Sequence, residues 1–167
     1  MNDRLKTTLQ AWPVITIATI ALCYSTKIVA GWFGIDLPDQ ENITVVRQYL
    51  EHMFDSRKYF FACINLLGQV LVILPVAEEF IFRYLFFMLP NRKWQRSRVP
   101  AAIIASALFS SAHYIVQPFP DAAFLALFFF GLAQCWLYRK TERLWCPMLN
   151  HFLFNLTNVV LIFLVPG

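Results

Sequence analysis

Charged residues are scarce in this 167-residue chain: Asp, Glu, Lys and Arg together make up 14% of it. A soluble domain averages roughly 25% charged residues, since its surface must face water. Hydrophobic residues reach 59%, and the mean hydropathy is +0.55. So few charges cannot cover a water-facing surface, which excludes a soluble enzyme, a disordered tail and a nucleic-acid-binding domain. The composition predicts a membrane protein with a single domain.

Several sequence signatures are also missing. The four cysteines are scattered, mostly within apolar runs, and their spacing matches neither a zinc knuckle nor a disulfide framework. A His-Glu-x-x-His zinc motif and a Gly-x-Ser-x-Gly nucleophile motif are absent. No internal repeat of the kind found in many transporters is visible. No convincing cleavage site follows the first apolar run, so we expect an uncleaved first span.

Apolar runs divide the chain into about five predicted transmembrane helices, since an upright span needs about 20 apolar residues. We place them at residues 12–31, 59–89, 99–116, 122–138 and 144–165. The second run is too long for an upright span and contains Pro75, which predicts a tilted or kinked helix. Residues 45–54 carry an apolar stripe typical of a short helix on the bilayer surface. The predicted fold class is therefore all-α, a multi-pass transmembrane helical bundle.

Basic residues cluster in two short loops between these spans, at residues 92–98 and 139–143. Under the positive-inside rule, this bias predicts a cytoplasmic N-terminus and an outward C-terminus. The net charge of +4 is then suited to anionic lipid headgroups, and no nucleic-acid partner is expected. We expect residues 1–70 to contain the first span and the surface segment, and residues 71–167 to form the helical core.

Ionisable and polar residues inside the apolar helices fall in three clusters, each at the i, i+4 spacing that puts two side chains on one helix face. The clusters are Glu78-Glu79-x-x-x-Arg83, Phe109-x-x-x-His113 and His151-x-x-x-Asn155. At about 1.5 Å per residue from the predicted cytoplasmic helix ends, the clusters share one depth band. Three helices could therefore bring two carboxylates, an arginine, two histidines and an asparagine into one cavity. That set of groups is typical of a hydrolytic site.

Each cluster alone also has a structural interpretation. Glu79 and Arg83 could form a structural ion pair, and a single buried histidine more often makes an interhelical hydrogen bond. Ser110 and Ser111 are interpreted as residues of close helix packing, since no nucleophile motif surrounds them. The three clusters together are much harder to explain by chance than any one of them.

In this order, the clusters resemble the CPBP family of intramembrane proteases, which includes type II CAAX prenyl endopeptidases and bacteriocin-processing or immunity proteins. The family motifs E-E-x-x-x-R, F-x-x-x-H and H-x-x-x-N are all matched, and Pro75 precedes the first, as is common there. The resemblance covers about residues 71–158. This chain departs from the family at Tyr84, where many members have glycine, and it is shorter than the larger eukaryotic members.

The resemblance implies an intramembrane endopeptidase that cleaves a membrane-tethered protein or peptide. A carboxylate removed from water is a stronger base, and the family pattern implies that Glu78 with His113 takes a proton from water. Glu79 would stay ionised beside Arg83. The expected catalytic residues are Glu78, Glu79, Arg83, His113, His151 and Asn155, the last two holding the developing oxyanion.

A zinc version of this site stays open at this point, because two histidines, a carboxylate and a water molecule form a zinc hydrolase ligand set. Its ligands would be Glu78, His113 and His151, drawn from three helices. We favour metal-free catalysis without a cofactor, since Asn155 suits an oxyanion role better than a zinc shell.

Two other functions are also compatible with the sequence. A non-catalytic membrane interaction protein, such as a bacteriocin immunity or scaffold factor, would keep the helix core without depending on its carboxylates. A proton-coupled transporter would use the buried Glu and His but lacks a visible repeat.

The partners expected for a protease are membrane lipids and a membrane-anchored substrate. That substrate could be a prenylated or lipidated C-terminus, a bacteriocin leader or a C-terminal sorting helix. The expected location is the cell membrane, of the bacterial inner-membrane type, and the sequence gives no oligomeric state.

Overall fold

Six helices and no strand make up the described part of the computed structural model, which comprises residues 2–38, 41–90, 98–115 and 121–164. A 3₁₀ turn, His113–Ile115, extends the fourth helix. The all-helical fold predicted from the sequence is confirmed. In chain order the helices are α1 Asp3–Trp32, α2 Glu41–Glu51, α3 Arg57–Met88, α4 Arg98–Ala112, α5 Phe124–Thr141 and α6 Trp145–Leu164.

Helix α5 lies at the centre of the bundle, where it packs against α1, α4 and α6. Apolar side chains from several helices meet beside it in one cluster that includes Ile15, Phe82, Phe109 and Phe130. The outer faces of the helices expose many large apolar residues, as lipid-facing surfaces do. The buried residues of α5 are Ala126, Leu127, Phe130, Gly131, Gln134, Cys135, Leu137 and Thr141.

Among the described residues, three helices are long and apolar enough to cross a membrane: α1, α3 and α6. The helix over Val99–Ile115 is apolar but shorter, and α5 does not meet the same criterion. Other helices pack against α5, and it carries the buried polar residues Gln134 and Thr141. The five predicted spans thus correspond to three candidate spans, one shorter helix and one sheltered helix. The cytoplasmic N-terminus stays a prediction.

Two of the helix boundaries that differ from those predicted belong to α1 and α2. Helix α1 begins at Asp3, well before residue 12, because Asn2 caps it and accepts the backbone N–H of Arg4 at 3.1 Å. Helix α2 ends at Glu51, and Phe54 is exposed, so the apolar stripe is shorter than predicted. The basic residues at 92–97 and the turn at 117–120 lie outside the described residues.

Helix α3 is continuous, but two of its stretches are π-helical, Gln69–Ile73 and Phe80–Met88. Pro75 lies between them, in the short α-helical stretch Leu74–Glu79. Proline lacks a backbone N–H and so interrupts the regular hydrogen-bond ladder of an α-helix. Where the sequence predicts a tilt or kink, the structure thus has a change of helical register. The predicted division after residue 70 falls inside this helix.

Asp121 fixes the junction between α4 and α5. Its Oδ1 accepts the backbone N–H of Ala123 at 2.8 Å and that of Phe124 at 3.1 Å, at the beginning of α5. The same oxygen accepts the hydroxyl of Tyr114 in the 3₁₀ turn that ends α4. The Ser110 hydroxyl donates to the Phe124 carbonyl at 2.7 Å, which agrees with its interpretation as a packing residue.

Helices α4 and α5 approach most closely at Gly131. A Cβ added there would lie 2.9 Å from Ser106 Cβ and 3.0 Å from Ser106 Cα. Only a residue without a side chain allows this approach, as at many helix contacts in membranes.

Gly131→Ala is expected to lower the free energy of unfolding by about 1–3 kcal/mol, because the added methyl group must push α4 away from α5. Gly68→Ala is the matched control, since nothing lies within 4 Å of a Cβ at that position. Thermal unfolding of the detergent-purified variants measures the difference. Equal stability of the two variants would contradict the close packing at Gly131.

Candidate functional site

Four ionisable side chains from α3 and α6 form a row, in the order Arg83, Glu79, His151 and Glu78. Arg83 Nε lies 3.0 Å from Glu79 Oε2. His151 Nδ1 lies 2.9 Å from Glu79 Oε1, and His151 Nε2 lies 3.7 Å from Glu78 Oε2. The imidazole is therefore placed between two carboxylates, and one of these also contacts a guanidinium. We call these four residues the ionisable row.

The exposure of the ionisable row differs between its two ends. Glu79 and Arg83 are fully buried and His151 is 4% exposed, whereas the Glu78 side chain is 26% exposed. Burying an unpaired carboxylate is costly, and Glu79 has two partners at this depth, the guanidinium of Arg83 and the imidazole of His151. The row thus has a closed end at Arg83 and an accessible end at Glu78.

Helix geometry explains why two adjacent glutamates have different partners. Glu79 and Arg83 are four residues apart and share a face of α3, as the spacing predicts, so their ion pair is a local consequence of the helix. Glu78 is one residue earlier and points about 100° away around the same helix. It therefore meets the other ring nitrogen of His151 and the accessible side of the site.

Two phenylalanines wall the ionisable row. The guanidinium carbon of Arg83 lies 4.9 Å from the centroid of the Phe109 ring, a cation–π contact. The His151 ring packs edge-on, 5.0 Å from the Phe130 centroid and 6.0 Å from the Phe109 centroid. These rings fix the plane of the imidazole. The sequence analysis did not predict that Phe130 lies beside His151.

His113 lies at the edge of the site, in the 3₁₀ turn after α4, with its ring centroid 4.9 Å from that of Phe109. Its Nδ1 lies 2.9 Å from the Phe109 carbonyl oxygen. A carbonyl only accepts, so Nδ1 carries a proton, and in the neutral form of the ring the lone pair is on Nε2. Among the described side chains, no hydrogen bond or ion pair joins His113 to Glu78 or His151.

Asn155 follows His151 by one turn of α6. Its Nδ2 donates to the backbone carbonyl of Val70 at 2.8 Å, in the first π-helical stretch of α3. Its contact is thus with the main chain of α3, beside the ionisable row. Of the six candidate residues, the structure brings Glu78, Glu79, Arg83 and His151 into one row and positions His113 and Asn155 next to it.

Within the described ranges, no group of three His, Cys, Asp or Glu side chains is arranged to hold a metal ion. The zinc alternative requires Glu78, His113 and His151 to converge on one point. Glu78 and His151 are neighbours, and His113 Nδ1 lies on a backbone carbonyl of its own helix. Metal-bound histidines commonly make such a bond with the other ring nitrogen, so this contact does not decide between the two versions of the site, and the zinc alternative stays a prediction.

A second buried polar contact lies next to the row. Gln134 of α5 donates from Nε2 to Asn150 Oδ1 at 3.0 Å, and both side chains are fully buried. Asn150 directly precedes His151, so this hydrogen bond helps to fix the rotation of α6 at the histidine. The sequence analysis missed the pair because neither residue belongs to an i, i+4 cluster. The signal that could have revealed the pair is the presence of an amide side chain in each of two adjacent apolar segments.

One comparison with known proteins identifies the family. The family model of type II CAAX prenyl endopeptidases, Rce1-like, matches residues 59–157, more than half of the chain. The chain belongs to this family. No curated protein and no solved structure matches the chain significantly. All six candidate residues lie within the matched range, and the family-level activity is that of a CAAX-protease-like intramembrane endopeptidase.

Arg83→Met is expected to destabilise the protein by about 3–5 kcal/mol, because it leaves a fully buried carboxylate without its guanidinium. The double variant E79Q/R83M should lose less than the sum of the two single losses, since no unpaired charge remains. Thermal unfolding in detergent measures each loss. Arg139→Met is the control, because Arg139 is exposed at the end of α5. Strictly additive losses would contradict a coupled ion pair.

Proposed function

We propose that this protein is a metal-free, glutamate-type intramembrane endopeptidase that cleaves a membrane-tethered protein or peptide. The observation that carries the proposal is the ionisable row, which is buried at Arg83 and accessible at Glu78. Membership in a family of prenyl endopeptidases supports the reaction class.

The ionisable row can be electrically neutral as a whole. With His151 protonated, Arg83, Glu79, His151 and Glu78 alternate between positive and negative charge, and the row carries no net charge. A neutral set of charges is the arrangement least penalised in a low-dielectric bilayer. When Glu78 takes a proton, the row gains one positive charge, which a negative oxyanion on the substrate offsets. The row is therefore suited to stabilise a tetrahedral intermediate.

Glu78 is the general base in this proposal, because it is the accessible carboxylate of the row. It takes a proton from a water molecule, whose oxygen forms a bond to the carbonyl carbon of the scissile peptide. The carbon–nitrogen bond then breaks, and Glu78 returns the proton to the leaving amine. The same group thus serves as base and then as acid, and no proton is left over.

His151 holds the oxyanion through Nε2–H, while its Nδ1–H is bound by ionised Glu79. Glu79 orients the ring and stabilises its positive charge, as a carboxylate does for a catalytic histidine in hydrolases. His113 assists Glu78, since the bond from Nδ1 to the Phe109 carbonyl leaves Nε2 to accept a hydrogen bond from the attacking water and so orient it. The contribution of Asn155 to oxyanion binding stays a prediction of the family pattern.

The surroundings of Glu78 favour a lipid-tethered substrate. Its neighbours on α3, Val76 and Phe80, are 45% and 46% exposed, so the accessible end of the row is flanked by apolar side chains that suit lipid. A substrate anchored in the bilayer would reach Glu78 from that side. We propose a membrane-anchored substrate, such as a lipidated C-terminus, a leader peptide or a sorting helix, and a multi-pass location in a bacterial cell membrane.

Cleavage of membrane-anchored peptides by the detergent-purified protein tests this function. Glu78→Gln and His151→Ala are each expected to lower the rate at least about 100-fold, since each removes a group that acts on the reacting atoms. Glu51→Gln and His52→Ala are matched controls, because they make the same chemical changes at exposed positions. Both controls should cleave at the wild-type rate.

A zinc chelator is expected to leave the rate unchanged, because no step of the proposed mechanism uses a metal ion. Loss of activity on chelation, with recovery on adding zinc, would contradict the metal-free mechanism. A Glu78→Gln variant that still complements a deletion strain would instead favour the non-catalytic interaction protein.

A further inference from the structure

The first π-helical stretch of α3 leaves one backbone carbonyl without a donor in its own helix. The N–H of Leu74 donates to the carbonyl of Gln69, five residues earlier. In the same register, the carbonyl of Val70 would accept from residue 75. That residue is Pro75, which has no N–H. An unsatisfied carbonyl inside a membrane-spanning helix is costly, so this oxygen requires a donor from elsewhere.

Asn155 of α6 supplies that donor. Its Nδ2 lies 2.8 Å from the Val70 carbonyl oxygen. One turn away on α6, His151 contacts Glu79 of α3 at 2.9 Å. The same two helices are therefore joined at two successive levels, one through the main chain and one through the ionisable row.

The register of α3 determines which glutamate faces His151. Each residue of an α-helix advances by about 100°, so a register shift of one residue would turn Glu78 toward the direction that Glu79 now occupies. Glu78 would then lie on the buried side of the imidazole, and the accessible carboxylate would be lost. Whatever holds the π turn in place also holds the two glutamates on their respective sides of the ring.

We infer that Asn155 is a positioning residue: by satisfying the carbonyl that Pro75 leaves free, it fixes the register of α3 and thereby the placement of Glu78 and Glu79 around His151. Where activity is the readout, this inference rests on the proposed function. Pro75 and Asn155 both act on the Val70 carbonyl, since one leaves it without a donor and the other supplies one. Replacing Pro75 can therefore compensate for the loss of Asn155.

The experiment is a rescue of Asn155→Ala by Pro75→Ala. Asn155→Ala removes the donor from α6, and Pro75→Ala introduces a backbone N–H that can donate to Val70 from within α3. Asn155→Ala is expected to lower kcat about 100-fold with KM unchanged, the size of effect expected when a reacting group is misplaced. The kcat of the double variant should be at least about tenfold higher than that of Asn155→Ala. This corresponds to roughly 1.4 kcal/mol of activation free energy.

Two controls isolate the proposed contact. Asn158→Ala is the matched asparagine variant, because Asn158 Nδ2 donates to the Phe154 carbonyl of its own helix at 3.0 Å. It should leave the rate unchanged. Pro75→Ala added to His151→Ala should restore nothing, because the imidazole itself is missing. Rescue in both backgrounds would contradict a role specific to Asn155.

The unfolding midpoint in detergent is a second readout that does not require activity. Asn155→Ala should lower it, and the added Pro75→Ala should raise it again. If Asn155 acted only on the substrate, Asn155→Ala would leave the midpoint unchanged and Pro75→Ala would not restore kcat. That result would overturn the inference, while wild-type cleavage would still support the protease. If the wild type cleaved no peptide, the proposed function would fail. Rescue of the midpoint would then support the contact, and its absence would overturn it.

Discussion

The buried carboxylate of Glu79 is the group on which the rest of the site depends. It is fully buried, yet it contacts both the guanidinium of Arg83 and the imidazole of His151. A charge at this depth is tolerated only with such partners, so its pairing fixes the relative position of α3 and α6. Glu78 gains its place beside the other ring nitrogen as a consequence, because it precedes Glu79 on the same helix.

The other helices pack around this pairing of Glu79 with Arg83 and His151. Phe109 of α4 and Phe130 of α5 cover the ring of His151, and Phe109 also lies under the guanidinium of Arg83. Both phenylalanines reach the site because α4 and α5 approach closely at Gly131 and Ser106. Helix α1, which lies before the range matched by the family, packs against α5 and α6 and completes the same core. The site is therefore a product of the whole bundle.

Main-chain groups that lack a regular partner find one at specific side chains. Asp121 accepts the free N–H groups at the beginning of α5, and Asn155 donates to the carbonyl left free before Pro75. In lipid, water cannot take these places, so each irregularity of a helix requires a polar side chain nearby. Polar side chains such as Asp121 and Asn155, which lie outside the ionisable row, therefore have a structural role as partners of main-chain groups.

The sequence by itself determined the helical fold, the apolar segments and the ion pair of Glu79 with Arg83, because helix periodicity is local and four residues form one turn. The tertiary structure decided which helices meet. His151 contacts Glu79 across 72 residues of sequence, and Asn155 reaches Val70 across 85. It also gave His113 a backbone partner within α4 and made α5 the sheltered centre of the bundle. Such contacts depend on the packing of distant side chains, which no local period encodes.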